Sequence, residues 1–237
     1  MPESKLKVSL ISHTQDAEET VVAAIRQCYS NKGGEELKEK TKEELRKRLI
    51  KQIIASGHTS TIEHASFTFA IEGVSRAATH QLVRHRIASY SQQSQRYVEE
   101  KGELDYIIPP KIKKNEEALK MYEDSIKRDH ETYKKLIGMG VDKEDARYLL
   151  PNAAETKIVA TFNARSLMNF LEKRLCTRAQ WEIRLLAQAM LQEVKKVAPT
   201  IFEFAGPTCE TEKICWEGDM SCGKWENIEG AELRSKV

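Results

Sequence analysis

The sequence lacks the long apolar segments that mark membrane-spanning and secreted proteins. Its 237 residues contain no apolar run near the ~20 residues that a membrane-spanning helix needs. Its first residues, Met-Pro-Glu-Ser-Lys-Leu-Lys, lack the apolar stretch of a secretory signal. Cysteine is also scarce, with five in the chain. We therefore expect a cytoplasmic protein that does not bind membranes and whose thiols are mostly reduced.

Glycine-rich nucleotide loops and recognisable metal motifs are missing as well. The 11 glycines form neither GxGxxG nor a phosphate loop, so a Rossmann turn does not hold any bound dinucleotide. Four histidines fall within 28 residues, at positions 58, 64, 80 and 85, but their spacing matches no zinc motif. The clustered Cys209, Cys215 and Cys222 could hold a metal or oxidise, but they form no CxxC pair. We expect no bound metal.

The charge balance gives little support to a polyanionic partner. The net charge of +2 is too small to imply nucleic-acid binding by itself. With 40% hydrophobic and 31% charged residues, the composition is that of a globular protein large enough to bury a core. We predict one domain over residues 1–205 and an irregular, cysteine-containing tail over residues 206–237.

Periodic patterns predict an α+β fold. Alternating apolar and polar residues predict strands near 8–10, 66–71 and 156–162. Apolar residues three or four apart, with Asp142, Pro151 and Pro199 as boundaries, predict the helices. These helices cover 16–27, 38–56, 77–83, 115–137, 142–150, 164–175 and 180–197, and residues 98–112 are predicted to form a loop. We expect a central, largely antiparallel sheet surrounded by helices.

The segment from Arg84 to Tyr97 is rich in hydrogen-bond donors. It contains three arginines, one histidine, three serines and three glutamines, with no acid. Guanidinium, hydroxyl and carboxamide groups bind phosphates and the edges of heterocycles. An alternative is a module for RNA or single-stranded DNA, with Tyr90 and Tyr97 stacking on bases. The near-neutral charge and the lack of an extended basic stripe favour a small ligand.

A second polar segment runs from Asn163 to Arg174 and follows a predicted strand. Arg165 and Asn169 are four residues apart, so they share one face of a helix. Donors at a junction of strand and helix frequently bind ligands. The alternative is a solvated helix face. For Arg147, near the end of its predicted helix, the alternative is a favourable interaction with the helix dipole.

Taken together, these segments resemble the flavin-dependent thymidylate synthases. Arg84-His85-Arg86, followed by seven residues and Ser94, is similar to the RHR-x7-S signature of that family. Further matching blocks lie at 57–69, 146–151, 163–171 and 174–183, in the family's order. The resemblance extends from about residue 5 to residue 204. It implies reductive methylation of dUMP to dTMP by a homotetramer whose active sites are shared between subunits.

The resemblance also implies particular binding residues. Those implied to contact FAD are His58, Ser60, Arg84, His85, Arg86, Gln92, Asn163, Arg165 and Asn169. Those implied to bind dUMP are Gln81, Arg84, Gln92, Gln93, Ser94, Gln95, Arg96, Arg147 and Arg174. Arg174 is the implied catalytic residue, which polarises the uracil ring, and His58 would also lie near the folate. The chain departs from the family at Gln92, where many members carry an acid, and at Arg178, where some carry histidine.

The implied reaction takes its carbon from methylene-tetrahydrofolate, and FAD is reduced by NADPH. Ser94 is implied to be a ligand of the substrate and not a nucleophile. The sequence agrees, because no histidine–acid pair stands beside Ser94 to activate it. A flavin-binding protein without activity is a further alternative. We also predict that the cysteine segment 209–222 is peripheral to the chemistry.

Overall fold

The structure is a computed structural model that describes residues 3–37, 41–100 and 102–224. The strands are β1 (Lys7–His13), β2 (Ser66–Ser75), β3 (Ala88–Gln92) and β4 (Glu155–Asn163). The α-helices are α1 (Ala17–Gln27), α2 (Gly34–Leu37), α3 (Glu43–Ala55), α4 (Arg76–Leu82), α5 (Pro110–Lys113), α6 (Glu116–Gly138), α7 (Lys143–Ala146), α8 (Ala164–Arg174), α9 (Trp181–Val197) and α10 (Thr208–Thr211). Shorter 3-10 turns cover Thr59–His64, Arg147–Leu149 and Gly218–Met220. Within these described ranges, every helix is too short or too polar to cross a membrane.

The strands form an antiparallel sheet in the order β1-β2-β4-β3. Side chains of β2 and β4 alternate between buried and more exposed positions, because successive residues of a strand point to opposite faces. Phe67 and Phe69 of β2 and Ile158 and Phe162 of β4 are among the buried ones. The predicted combination of helices with an antiparallel sheet is therefore confirmed.

The chain divides into two compact units, each built from separate segments. The first unit draws its described residues from 1–7, 70–84 and 90–159. Its core is an apolar cluster that α6 covers, and the cluster consists of Leu104, Tyr106, Ile108, Ile126 and Ala154. Asn115 begins α6 as its N-cap, accepting a hydrogen bond from the backbone N–H of Ala118 at 3.0 Å.

The second unit draws its described residues from 8–69, 85–89 and 160–237. Helix α8 buries Leu167, Phe170 and Leu171 on one face, which leaves its other face available for polar residues. The buried carboxylate of Glu18, on α1, accepts hydrogen bonds from the backbone N–H and the hydroxyl of Thr200 at 2.6 and 3.0 Å. Because these bonds join α1 to the chain just after α9, they fix the frame on which α8 rests.

Some local predictions differ from the structure. Strand β3, at the edge of the sheet, was not expected, because it has only five residues and three of them, Ser89, Ser91 and Gln92, are polar. The helix predicted over 142–150 divides into α7 and a 3-10 turn, since Pro151 favours extended backbone at Leu150. Helix α3 begins at Glu43, and residues 38–40 of its predicted span lie outside the described residues.

The tail predicted to be irregular contains local helical structure. Helix α10 and the turn Gly218–Met220 both lie within residues 206–224. Pro207 sits at the N-cap of α10, where its fixed φ suits a helix start. Residues 225–237 of the predicted tail lie outside the described residues.

Candidate active site

Part of the residue set implied to bind the nucleotide gathers at the end of β3, in the first unit. Gln92 closes the strand, and its side-chain nitrogen donates to the hydroxyls of Thr79 and Thr156 at 2.9 and 3.3 Å. Arg76 donates from Nη2 to the carbonyl oxygen of Gln93 at 2.7 Å. These bonds fix the strand end that leads into Ser94. Gln92 is therefore a hydrogen-bond donor at the position where an acid would accept.

The next turn brings two of the predicted arginines to one acidic residue. Ser94 accepts a hydrogen bond at its hydroxyl from the backbone N–H of Arg96 at 3.2 Å, which shapes the turn. Arg96 Nε donates to a carboxylate oxygen of Glu144, on α7, at 2.8 Å. Arg147 donates from Nε to the backbone carbonyl of Glu144 at 3.0 Å. The hydrogen bond to Glu144 raises the pKa of Arg96, so this guanidinium stays charged.

Arg76 is a residue of this region that the sequence interpretation missed. Burial, and then the charge of Arg147, lower the pKa of its guanidinium. Its Nε and the side-chain oxygen of Gln93 are buried without a hydrogen-bond partner among the described residues. A cation in the first turn of α4 opposes the helix dipole, and this conflict was the signal in the sequence that could have identified it.

The remaining members of the nucleotide set lie nearby along the chain. Gln81 is on α4, Arg84 follows two residues after its end, and Gln95 lies in the turn after β3. The hydroxyl of Tyr90 donates to the backbone carbonyl of Leu82 at 3.0 Å. Burial raises the pKa of that hydroxyl, so it keeps its proton. This bond fixes the end of α4 next to β3.

The second unit carries most of the set implied to bind the flavin. Asn163 ends β4 and caps α8, with its side-chain oxygen accepting from the backbone N–H of Ser166 at 2.8 Å. The predicted junction of strand and helix is therefore present at this residue. Because the cap uses the amide oxygen, the amide nitrogen is the group that Asn163 can offer to a ligand.

Arg165 and Asn169 lie on one wall of a cavity of about 790 Å³ within the second unit. Met168 and Glu172 share this wall, since positions i, i+3, i+4 and i+7 follow one helix face. Arg165 Nη1 donates to a carboxylate oxygen of Glu63 at 2.6 Å. The other walls come from α3, the turn that begins at Thr59 and the segment after α9, and they are Lys51, Ile54, Ala55, Thr59, Ile62, Phe204, Ala205, Gly206, Thr211 and Glu212.

His58 and Ser60 lie at the 3-10 turn between α3 and β2, where His58 is the N-cap. Ser60 lines a different cavity, of about 490 Å³, together with Thr61, His64 and residues of α1. The structure therefore does not bring Ser60 into the cavity of Arg165 and Asn169. The placement of this predicted residue was not derivable from its spacing in the sequence.

Arg174, the last residue of α8, contacts a histidine of the RHR segment. Its Nε donates to Nε2 of His85 at 2.8 Å. Burial, and then the charge of Arg174, lower the pKa of His85 to about 4. The edge of the His85 ring meets Phe170, with ring centroids 4.9 Å apart. A neutral imidazole therefore accepts from a half-buried guanidinium.

Arg86 is followed by a strained residue. Ile87 has a φ of +63°, which a β-branched side chain rarely adopts, and 78% of its surface is exposed. Strained backbone of this kind is concentrated at functional sites. Its place directly after the Arg84–Arg86 segment supports a ligand or an interface there.

The tail cysteines lie close to Cys176, just beyond α8. Cys209 interacts electrostatically with Cys176, Cys215 and Cys222. Glu217 of the tail accepts from the Cys176 thiol at 3.9 Å and pairs with Arg178 at 3.8 Å. Cys176, which seemed isolated in the sequence, thus belongs with the tail. Among the described residues, no three side chains are arranged to hold a metal ion, and the absence of metal stays a prediction.

Comparisons with known proteins show which family the chain belongs to. A family model described as thymidylate synthase complementing protein matches residues 9–200. A flavin-dependent thymidylate synthase of Geobacter sulfurreducens is 51% identical over 220 residues, covering 92% of this chain and 94% of the relative. The chain belongs to the flavin-dependent thymidylate synthases. It is therefore an enzyme of that family.

Other proteins similar to this flavin-dependent thymidylate synthase chain also match it over most of their length. A member from Clostridium tetani is 49% identical over 235 residues, covering 92% of this chain and 94% of the relative. A solved structure similar to this fold is a UMP/dUMP methylase from Streptomyces cacaoi bound with 5-Br dUMP. It matches with a TM-score of 0.76 and 25% identity, covering 85% of this chain and 94% of that one.

Proposed function

We propose that this protein methylates dUMP to dTMP, with methylene-tetrahydrofolate as the carbon donor and FAD reduced by NADPH. The observation that carries the proposal is the half-buried guanidinium of Arg174, held by His85 at the end of the helix that also presents Arg165 and Asn169. Family membership supplies the reaction class, and the methylase of similar structure holds a brominated dUMP. The described residues supply donors suited to each part of these ligands.

The phosphate of dUMP is a dianion that suits the arginines of the first unit. Arg96 and Arg147 are both held by Glu144, and an arginine can donate two hydrogen bonds to one phosphate. Ser94 adds a hydroxyl in the same turn. In this proposal Ser94 binds the substrate and is not a nucleophile. The other nucleotide contacts come from Gln81, Arg84, Gln92, Gln93 and Gln95.

The flavin fits the donors and the cavity of the second unit. A cavity of about 790 Å³ is within the size range of cofactor sites, and Ile54, Ile62 and Met168 give it apolar surface. Arg165 and Asn169 provide polar contacts in it. We also assign flavin contacts to His58, Ser60, Arg84, His85, Arg86, Gln92 and Asn163. When bound, FAD supplies the redox chemistry between the reductant and the one-carbon unit.

Arg174 acts on the uracil ring in this proposal. A guanidinium directed at the carbonyl–NH–carbonyl edge stabilises negative charge on that edge. As the bond to the ring proton weakens, electron density rises at the carbon to be methylated. Burial lowers the pKa of Arg174, but an arginine remains charged at neutral pH, so its electrostatic effect persists.

The assembly belongs to the proposal too. We propose a cytoplasmic homotetramer in which residues of several subunits complete each active site. Residues 1–205 form the catalytic domain. The tail cysteines are peripheral to the chemistry, although Gly206, Thr211 and Glu212 of the tail line the cavity proposed for the flavin. His58 also lies near the folate, which binds as a co-substrate.

The decisive experiment is anaerobic incubation of the purified protein with dUMP, methylene-tetrahydrofolate and NADPH. Flavin absorbance and dTMP are followed together, and we expect NADPH-dependent bleaching followed by dTMP formation. Arg174→Ala should keep the flavin and lose at least about 100-fold in turnover, because it removes a preorganised charge from the reacting ring. Arg128→Ala, at an exposed position of α6, is the matched control. A colourless protein, or a flavoprotein that makes no dTMP, would contradict the proposal.

A non-enzymatic module that binds nucleic acid would give a different result in this experiment. It would be colourless and would bind oligonucleotides with an affinity that falls steeply as salt rises. A flavin-binding protein without activity would be yellow but would make no dTMP, and Arg174→Ala would leave its flavin absorbance unchanged. The same purified sample therefore separates these alternatives.

A further inference from the structure

The hydrogen bond between Arg174 and His85 fixes the protonation of the imidazole ring. Every nitrogen of a guanidinium can only donate, so Nε2 of His85 must accept at 2.8 Å. The single proton of the neutral ring is then on Nδ1. The lowered pKa of about 4 agrees with a ring that stays neutral across the physiological range.

The ring itself is held by the helix that carries Arg174. Phe170 is four residues before Arg174 on α8, and its side chain is fully buried. The two rings meet edge to face with an interplanar angle of 84°. The imidazole therefore packs against Phe170 on one turn of α8, and its Nε2 accepts a hydrogen bond from Arg174 on the next turn.

This arrangement determines which edge of the guanidinium faces a ligand. The bond to His85 uses the Nε–H of Arg174, leaving its two Nη groups to supply the remaining N–H donors. Those groups point away from the side-chain stem and match a planar carbonyl–NH–carbonyl edge.

We propose that His85 is a positioning residue for catalysis, which orients the guanidinium of Arg174 toward the pyrimidine edge by accepting its Nε–H. This inference rests on the proposed function of Arg174. It gives His85 a task distinct from contacting the flavin. The ring aligns the charge and does not itself transfer a proton.

The kinetic test compares two replacements of His85 in the flavin-loaded protein. His85→Leu removes the acceptor, and we expect kcat to fall about 10-fold to 100-fold, since misplaced catalytic groups cost that much. His85→Gln keeps an acceptor oxygen at similar reach, so it should recover most of kcat. Because His85 is also assigned a flavin contact, kcat is expressed per bound flavin, so a change in flavin content does not count as a loss of positioning. His13→Leu, at an exposed position of β1, is the matched control.

A spectroscopic test uses the wild-type fold and needs no turnover. Nitrogen-15 NMR of histidine-labelled protein should show His85 neutral, with its proton on Nδ1. Arg174→Leu should return the ring to the Nε2–H form that free imidazoles prefer. This measurement decides the matter if His85→Leu fails to fold.

Three results would overturn the inference. One is unchanged kcat in His85→Leu, and another is a loss in His85→Gln as large as in His85→Leu. The third is a wild-type ring protonated on Nε2. A wild-type protein that makes no dTMP contradicts the proposed function instead, so the two failures are distinguishable.

Discussion

Arg96 donates from Nε to a carboxylate oxygen of Glu144 at 2.8 Å, and its Nη2 lies 2.8 Å from the same oxygen. An arginine proposed to bind the substrate phosphate is therefore already paired with an acid. The pair is about half exposed, and it joins the turn after β3 to α7. The carboxylate orients Arg96, but it also places a negative charge where a dianion is proposed to bind.

These two effects of Glu144 oppose each other, and the larger one determines how Glu144→Gln changes the KM for dUMP. An exposed ion pair contributes little to orientation, whereas repulsion between a carboxylate and a dianion at short range is larger. We expect Glu144→Gln to lower the KM for dUMP about two-fold to five-fold with little change in kcat. The effect should shrink as salt rises. Glu116→Gln, in the exposed first turn of α6, is the control, and a raised KM in Glu144→Gln would contradict the prediction.

Arg76 should matter for nucleotide binding although it is absent from the family motifs considered above. It holds the carbonyl of Gln93 and is half-buried beside the charge of Arg147. Arg76→Gln removes a charged hydrogen bond, and we expect the KM for dUMP to rise about 10-fold. Flavin content should stay the same. Equal losses of flavin and dUMP binding would indicate a general structural defect, and Arg128→Gln controls for loss of an arginine.

Replacing Ile87 tests whether its strained backbone, next to Arg86, lowers the free energy of unfolding. Glycine tolerates a φ of +63°, so Ile87→Gly should relieve about 1–3 kcal/mol of strain, less about 1 kcal/mol for the greater freedom of the unfolded chain. We expect the free energy of unfolding in urea to rise by about 1 kcal/mol. Ile87→Ala keeps the Cβ atom and should show no such gain. A destabilised glycine variant would mean that the side chain is buried in the assembled protein.

The tail cysteines should be dispensable for the reaction. They lie beside Cys176 and Glu217, just past the end of α8 that carries Arg174. We expect the triple replacement of Cys209, Cys215 and Cys222 by serine to retain dTMP synthesis within about two-fold, since serine is close to cysteine in size and none of these thiols is assigned to the substrate or the flavin. Elemental analysis of the wild type should find no stoichiometric zinc. Loss of dTMP synthesis with an intact thermal transition would refute this prediction.

Much of the secondary structure was predictable from local patterns. Alternating side chains predicted β2 and β4, and helical spacing predicted α8 and α9, because these periods depend only on residues a few positions apart. The edge strand β3 was missed because it has only five residues and three of them, Ser89, Ser91 and Gln92, are polar. The shortened helix after Asp142 shows how a proline limits a helix that propensity alone would extend.

The candidate site was predictable as a set of residues but not as a set of contacts. The matching sequence blocks and their order indicated the family, and the comparisons then established it. Arg76 and Glu144 were missed, since neither belongs to those blocks and their partners are distant in sequence. Ser60 was assigned to the flavin set, and only its position in a separate cavity shows that it does not line the one beside Arg165.

The sequence by itself determined the helices and strands with strong periodicity, the donor-rich segments and the resemblance that identifies the family. The tertiary structure alone decided that His85 accepts from Arg174 across 89 positions of the chain, and that Cys176 lies with the tail. The reason is physical. Local periodicity depends on residues a few positions apart, whereas these pairings depend on how distant segments pack, and no short window of the sequence encodes that packing.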